Sequence, residues 1–166
     1  MADEMSIVRD FCGRPPVDVE GAIRALGIAF VVEKMPPNHS GRIEFDGLFY
    51  TIYVNATDGP QRRRFTAAHE LSHYLLHRDL LDDVGGLNRH VDVLYGQRND
   101  NPSQPFSPQH EVQANRYAAE ILMPARLVRS RYDDRTDNVR DLAQEFDVSQ
   151  AAMKIRLQAL GLRAPD

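Results

Sequence analysis

The sequence predicts an α+β fold in which a small antiparallel sheet leads into a mostly helical second half. Three observations carry this reading. β-rich runs at Ile28–Val32, Gly41–Phe45 and Leu48–Asn55 are separated by Pro36-Pro37 and by Asp46-Gly47, a strong hairpin signal. Two later stretches, Phe65–Leu76 and Gln109–Leu122, contain no Gly or Pro and place apolar residues at helical spacing. The end of the chain, from Asp137 to Leu162, reads as helix, short turn, helix.

Bulk composition bounds the rest. A chain of 166 residues with 42% hydrophobic residues suits one main domain and can bury a core without disulfides. The single Cys12 cannot form an internal bridge, which fits a reducing cytoplasm. No apolar run approaches the ~20 residues of a membrane span, so no membrane partner is expected. Met1-Ala2-Asp3-Glu4 lacks the basic, apolar character of a signal peptide. The net charge of −4 argues against strong sequence-independent binding to nucleic acid but leaves a local DNA contact open.

Taken in order, Pro15-Pro16-Val17 is an extended lead-in, Asp18 caps a short helix over Val19–Leu26, and Gly27 ends it. The three strands follow. Asp58-Gly59-Pro60 turns the chain into a helix opened by Arg62-Arg63-Arg64, cations that oppose the helix dipole and read first as a solvated face. Between Arg78 and Pro108, Gly85-Gly86, Asn99-Asp100-Asn101-Pro102 and Pro105 mark loops around Leu80-Leu81 and His90–Tyr95, which suit a short helix and a strand; the whole segment reads as a flap. Ser107 then caps a helix with Pro108 at its first position, and Met123-Pro124 stops it.

The chemistry sits in the first long helix. His69-Glu70-Leu71-Ser72-His73 is an H-E-x-x-H pattern. Residues four apart on a helix are offset by only about 40°, so His69 and His73 project from one side and can share a zinc ion. Glu70, at about 100° from His69, flanks that side as the catalytic base. Phe65, Ala68, Leu71, Ser72, Leu75 and Leu76 form the opposite arc, available to a core.

A catalytic zinc takes a third protein ligand. The H-E-x-x-H-x-x-G-x-x-H spacing is absent, because Leu76 stands where it needs Gly and Asp79 where it needs His. On the second helix, Glu111 and Glu120 lie about 180° apart. Glu111 borders the apolar arc of Ala114, Tyr117, Ala118, Ile121 and Leu122, and the small Ala114 and Ala118 allow close approach to the first helix. Glu111 is therefore the third-ligand candidate, and Asn115, one turn on, is a residue that could orient a ligand. His77, His90 and Tyr95 are further candidates for orienting a ligand or assisting an oxyanion.

The paired stretches Arg63–His77 and Glu111–Pro124 resemble the ImmA/IrrE family of bacterial zinc metallopeptidases; the resemblance extends to Pro16-Val17-Asp18 with its helix and to the tail. It implies a zincin-like fold, zinc held by His69, His73 and Glu111, and Glu70 as base. It also implies a substrate: a helix-turn-helix repressor of mobile-element or stress-response genes, often encoded beside the protease. Ser72 and Tyr117 stand where many relatives have Gly and Phe, and the 78–108 segment departs further. Residues 1–125 are expected to form the metallopeptidase domain, and 126–166 a helix-turn-helix-like segment packed on it. The native metal could also be another divalent ion such as manganese. Two other readings remain at this level: a non-proteolytic antirepressor, or a toxin–antitoxin component, either binding a partner protein or DNA.

Overall fold

The computed structural model describes residues 3–82, 88–93, 106–135 and 138–164. Helix α1 spans Glu4–Asp10 and α2 spans Val19–Ala25; strands β1 (Ala29–Glu33), β2 (His39–Phe45) and β3 (Tyr50–Asn55) follow. Helix α3 covers Pro60–Leu81, and β4 covers Asn88–Val93. The rest is helical: α4 (Pro108–Leu122), α5 (Ala125–Arg131), α6 (Val139–Phe146) and α7 (Gln150–Ala159). The α+β class holds, and Asp18 and Ser107 cap their helices as the sequence marks them. Asp18 accepts from the Gly21 amide, Ser149 from the Ala152 amide and Ser107 from the His110 amide. The Asp46 carboxylate takes the amides of Leu48 and Phe49 around the hairpin turn, where Gly47 supplies φ +98°. Helix α1, which the sequence reading leaves unassigned, starts at an Asp3 cap.

The sheet corrects one expectation. It is mixed rather than antiparallel, with strand order β1-β3-β2-β4. Consecutive strands alternate in direction, so β1 and β3 run the same way. Because β3 lies between β1 and β2, the β1–β3 pair is parallel, with Val31 opposite Tyr53. The crossover that makes this possible is held by buried Asn55. Its Oδ1 accepts from the Met35 amide at 3.2 Å, and its Nδ2 donates to the His39 carbonyl at 2.7 Å. A second consequence is that β3 has no free edge, since both of its sides are paired. The edges among the described residues belong to β1 and β4. The strand in the 78–108 segment is β4, paired antiparallel with β2, while Leu80 and Leu81 extend α3 instead of forming their own helix. The expected flap otherwise falls largely outside the described residues, as does Tyr95.

Helix α3 packs across the sheet face that carries Ile43, Ile52 and Val54, all fully buried. Gly41 on β2 is where the two come closest. A Cβ there would meet the Tyr53 carbonyl oxygen at 2.6 Å and also collide with the Thr66 methyl on α3. The tail shares the same core: Leu142, Phe146, Met153 and Leu157 join Val17, Ile23 and Leu122 in one apolar cluster. Arg64 reaches from α3 to the carbonyls of Val17 at 2.9 Å and Asp147 at 3.2 Å. Arg156, one of the two cations on the second tail helix, donates to the Met123 carbonyl at 2.9 Å and is thereby turned toward the body of the protein.

Helix α1 is tied to α3 by Glu4. Its carboxylate accepts from the Tyr74 hydroxyl at 2.6 Å and pairs with the Arg78 guanidinium. Arg78 holds the Glu4 pKa below the ordinary carboxylate value, against a smaller opposing effect of burial. Burial and the Glu4 bond together push Tyr74 up to about 12.

Two outcomes follow. Gly41→Ala should destabilise the fold by about 1–3 kcal/mol through overpacking, seen as a lower urea midpoint at unchanged slope. Because the folded pKa of Glu4 is depressed, its contribution is present above the unfolded-state value and is lost as pH falls through the folded one. Urea titrations across the acid range should therefore show a shallower loss of stability for Glu4→Gln than for the parent.

Candidate metal centre

Two histidines, a glutamate and a packed helix pair make the site. His69 and His73 stand one turn apart on α3, and Glu111 stands in the first turn of α4. Ala114 and Ala118, both fully buried, let the two helices approach closely. Glu111 projects about 60° to one side of Ala114, which aims it at the histidine pair.

The donor atoms converge. His69 Nε2 lies 3.0 Å from Glu111 Oε2, His73 Nε2 lies 3.4 Å from the same oxygen, and the two Nε2 atoms are 3.2 Å apart. A tetrahedral ion with ligand bonds of about 2.0–2.1 Å has donor–donor edges of ~3.3 Å, so this triangle has the size and the N,N,O chemistry of three ligand positions. Among the described residues, these three are the group whose ligand atoms could hold a metal ion. His69 and His73 are buried, whereas the Glu111 side chain is 26% exposed, which leaves the open side of the triangle at the carboxylate.

The histidine face of α3 is enclosed. His69, Glu70, His73 and His77 are all buried, with Glu111 and Gln113 of α4 and the Phe106 ring set against the three histidines. Phe106 stacks flat on His73, with ring centroids 3.9 Å apart and planes 2° from parallel. Conversely Leu76, on the arc read as core-facing, is 41% exposed. Glu70 is fully buried beside His69, and the Ser72 hydroxyl is satisfied within the helix by the Ala68 carbonyl at 2.7 Å.

His77 sits behind His73. The helix departs from helical geometry there, with φ −129° and ψ 21° at His77. Its Nδ1 lies 3.0 Å from His73 Nδ1, and its Nε2 lies 2.7 Å from the Gln113 side-chain oxygen. Burial lowers its pKa, partly offset by the Gln113 bond. Both ring nitrogens of His77 are thus engaged, and the ring is buried. Asn115 is exposed on α4 and makes no side-chain hydrogen bond to another described residue. His90 lies on β4 opposite Ile43, but its side chain is outside the described set.

The residues missed by sequence reasoning are Gln113 and Phe106. Asn115 and Gln113 lie about 100° to either side of Ala114. The helical wheel therefore marks both as flanking positions, and only the packed pair shows which side faces His77.

The family model for Peptidase_M78, the IrrE N-terminal-like domain, matches residues 23–158. The chain belongs to the IrrE N-terminal-like family. It is 32% identical over 108 residues to the radiation response metalloprotease IrrE of Deinococcus deserti, a match that covers 63% of this chain and 34% of that protein. The chain thus spans about a third of that curated relative. A solved structure described as a Mycobacterium tuberculosis transcriptional regulator superposes on 93% of this chain and 46% of its own, with TM-score 0.59 and 17% identity, so the two share a fold. The matched IrrE-like segment takes in β1–β3, both helices of the site, and the tail as far as residue 158. Among the described residues, no helix is long and apolar enough to cross a membrane.

For a metal held by the His69, His73 and Glu111 triangle, Glu111→Ala should weaken zinc binding by roughly 100-fold or more, beyond the usual cost of losing a ligand's supporting contact. Competition with a chromophoric chelator measures it, beside mass spectrometry showing about one metal per chain in the parent.

Proposed function

We propose that this protein is a zinc-dependent endopeptidase that regulates transcription by cleaving a helix-turn-helix repressor. The observation that carries the reading is the triangle of His69, His73 and Glu111 donor atoms beside a buried Glu70. In this proposal His69, His73 and Glu111 hold the ion and Glu70 is the base. The chemistry a bound divalent ion supplies there is Lewis-acid polarisation of a scissile carbonyl and acidification of water. Zinc suits two imidazoles and one carboxylate at tetrahedral spacing, and manganese is the alternative to test.

The chain's own residues do the rest. Glu70 follows His69 directly on α3, takes a proton from the attacking water and returns it to the leaving amine. Its burial keeps bulk water away and strengthens its electrostatic coupling to charge that develops in the reaction. The rigid α3–α4 pair holds base and ligands in one register. In this reading residues 1–125 supply the machinery and the segment from 126 onward packs on it; the bonds of Arg64 to the Asp147 carbonyl and of Arg156 to the Met123 carbonyl support that packing. The repressor as substrate, the cytoplasmic setting and the link to stress response rest on the family resemblance and on the relative described as a radiation response metalloprotease.

The test is cleavage of a helix-turn-helix repressor by the purified protein, followed by gel and mass spectrometry. The parent should cut it, a chelator should stop it, and Glu70→Gln should slow it about 100-fold or more while retaining the metal. A Glu70→Gln protein that cuts at the parental rate would overturn the role of Glu70. One that leaves the repressor intact yet relieves repression fully would make the protein a binding antirepressor.

A further inference from the structure

The direction of the hydrogen bonds behind His73 decides which of its ring nitrogens carries the proton. A neutral imidazole has one N–H and one lone pair, and a metal takes only the lone pair. His73 Nδ1 and His77 Nδ1 are 3.0 Å apart, so one of them donates to the other. The far nitrogen of His77 breaks the tie. His77 Nε2 lies 2.7 Å from Gln113 Oε1, a carbonyl oxygen that only accepts. With the Gln113 amide in that orientation, His77 Nε2 carries the proton, which leaves His77 Nδ1 as the acceptor. His73 Nδ1–H then donates to it, and the His73 lone pair is left on Nε2. That is the atom 3.2 Å from His69 Nε2 and 3.4 Å from the Glu111 carboxylate. The opposite order would put two acceptors face to face at 2.7 Å and a proton on His73 Nε2.

We propose that Gln113 and His77 form an ordered hydrogen-bond relay that holds His73 in the tautomer whose Nε2 lone pair faces the metal centre. The inference rests on the reading of His69, His73 and Glu111 as ligands, and it deepens that reading. His77 and Gln113 are positioning residues, acting through His73 and not on substrate. The flat stack of Phe106 on His73 completes the arrangement, because it resists the ring flip that would exchange the two nitrogens. The relay also joins the two helices a second time. Glu111 meets the histidines on one side of Ala114, and Gln113 reaches His77 on the other.

The experiment uses the full chain labelled with 15N-histidine and two readouts. Imidazole nitrogen shifts of the metal-free protein report the His73 tautomer, and competition with a chromophoric chelator gives the zinc Kd. Gln113→Met keeps the volume but removes the acceptor; Gln113→Glu keeps an obligate acceptor; His77→Phe removes the relay. Gln113 is exposed, so its variants remain informative even where buried His77→Phe fails to fold. In the parent and in Gln113→Glu, His73 should carry its proton on Nδ1. In Gln113→Met and His77→Phe it should populate the Nε2–H form, with zinc binding weakened about 10–100-fold, while Gln113→Glu binds at least as tightly as the parent. A packing role alone would affect Glu and Met at 113 alike or favour Met. Parental His73 in the Nε2–H form, or a Gln113→Met protein with unchanged tautomer and Kd, would overturn the relay. A parent that binds no zinc would instead remove the metal-centre reading, while the tautomer measured without metal would still decide the hydrogen-bond order.

Discussion

The structure depends on the close contact between α3 and α4. Two fully buried alanines, Ala114 and Ala118, set the approach. Larger side chains there would push the helices apart and take Glu111 away from His69 and His73. The same contact solves a problem that α3 creates for itself. His69, Glu70, His73 and His77 are buried polar groups on one helix, and such groups are costly to bury without partners. Helix α4 supplies two of those partners, Glu111 to the forward face of the row and Gln113 to its end.

The sheet and the N-terminal elements hold α3 in place against this pull. Gly41 lets β2 press against Thr66, Asn55 locks the crossover beneath, and Glu4 joins α1 to Tyr74 and Arg78, which directly follow His73 and His77. At the other end Arg64 reaches the lead-in to α2 and the turn of the tail. A helix fixed along both flanks and at both ends can keep donor atoms within tenths of an ångström of a workable geometry, which preorganised chemistry requires. Membership of the IrrE N-terminal-like family and the shared fold fit this economy, since the matched region contains all of α3 and α4.

Much of this was legible beforehand, for local reasons. Capping residues, the Asp46-Gly47 turn and the helical runs act over a few residues, so Asp18 and Ser107 could be read as caps from sequence alone. The H-E-x-x-H spacing is likewise local, since a helix places His69 and His73 together whatever surrounds it. Glu111 could be named because the apolar arc of α4 has a rim. The sheet order was not legible: hairpin signals describe neighbours in sequence, and the β1–β3 pair joins strands that are not consecutive. The burial of the histidine face was hidden too, because periodicity in α3 says nothing of the element that covers it.

The sequence by itself therefore determined α2, α3, α4 and the helical pair of the tail, the caps at Asp18 and Ser107, the α+β class and the residue types able to bind metal, all consequences of backbone geometry and side-chain chemistry within one element. Only the tertiary structure decided that β3 lies inside a mixed sheet with no free edge, that α4 seals the histidine row, and that Gln113 rather than Asn115 meets His77. Those outcomes turn on which faces of separate elements meet, and that is settled by packing across long sequence separations rather than by local pattern.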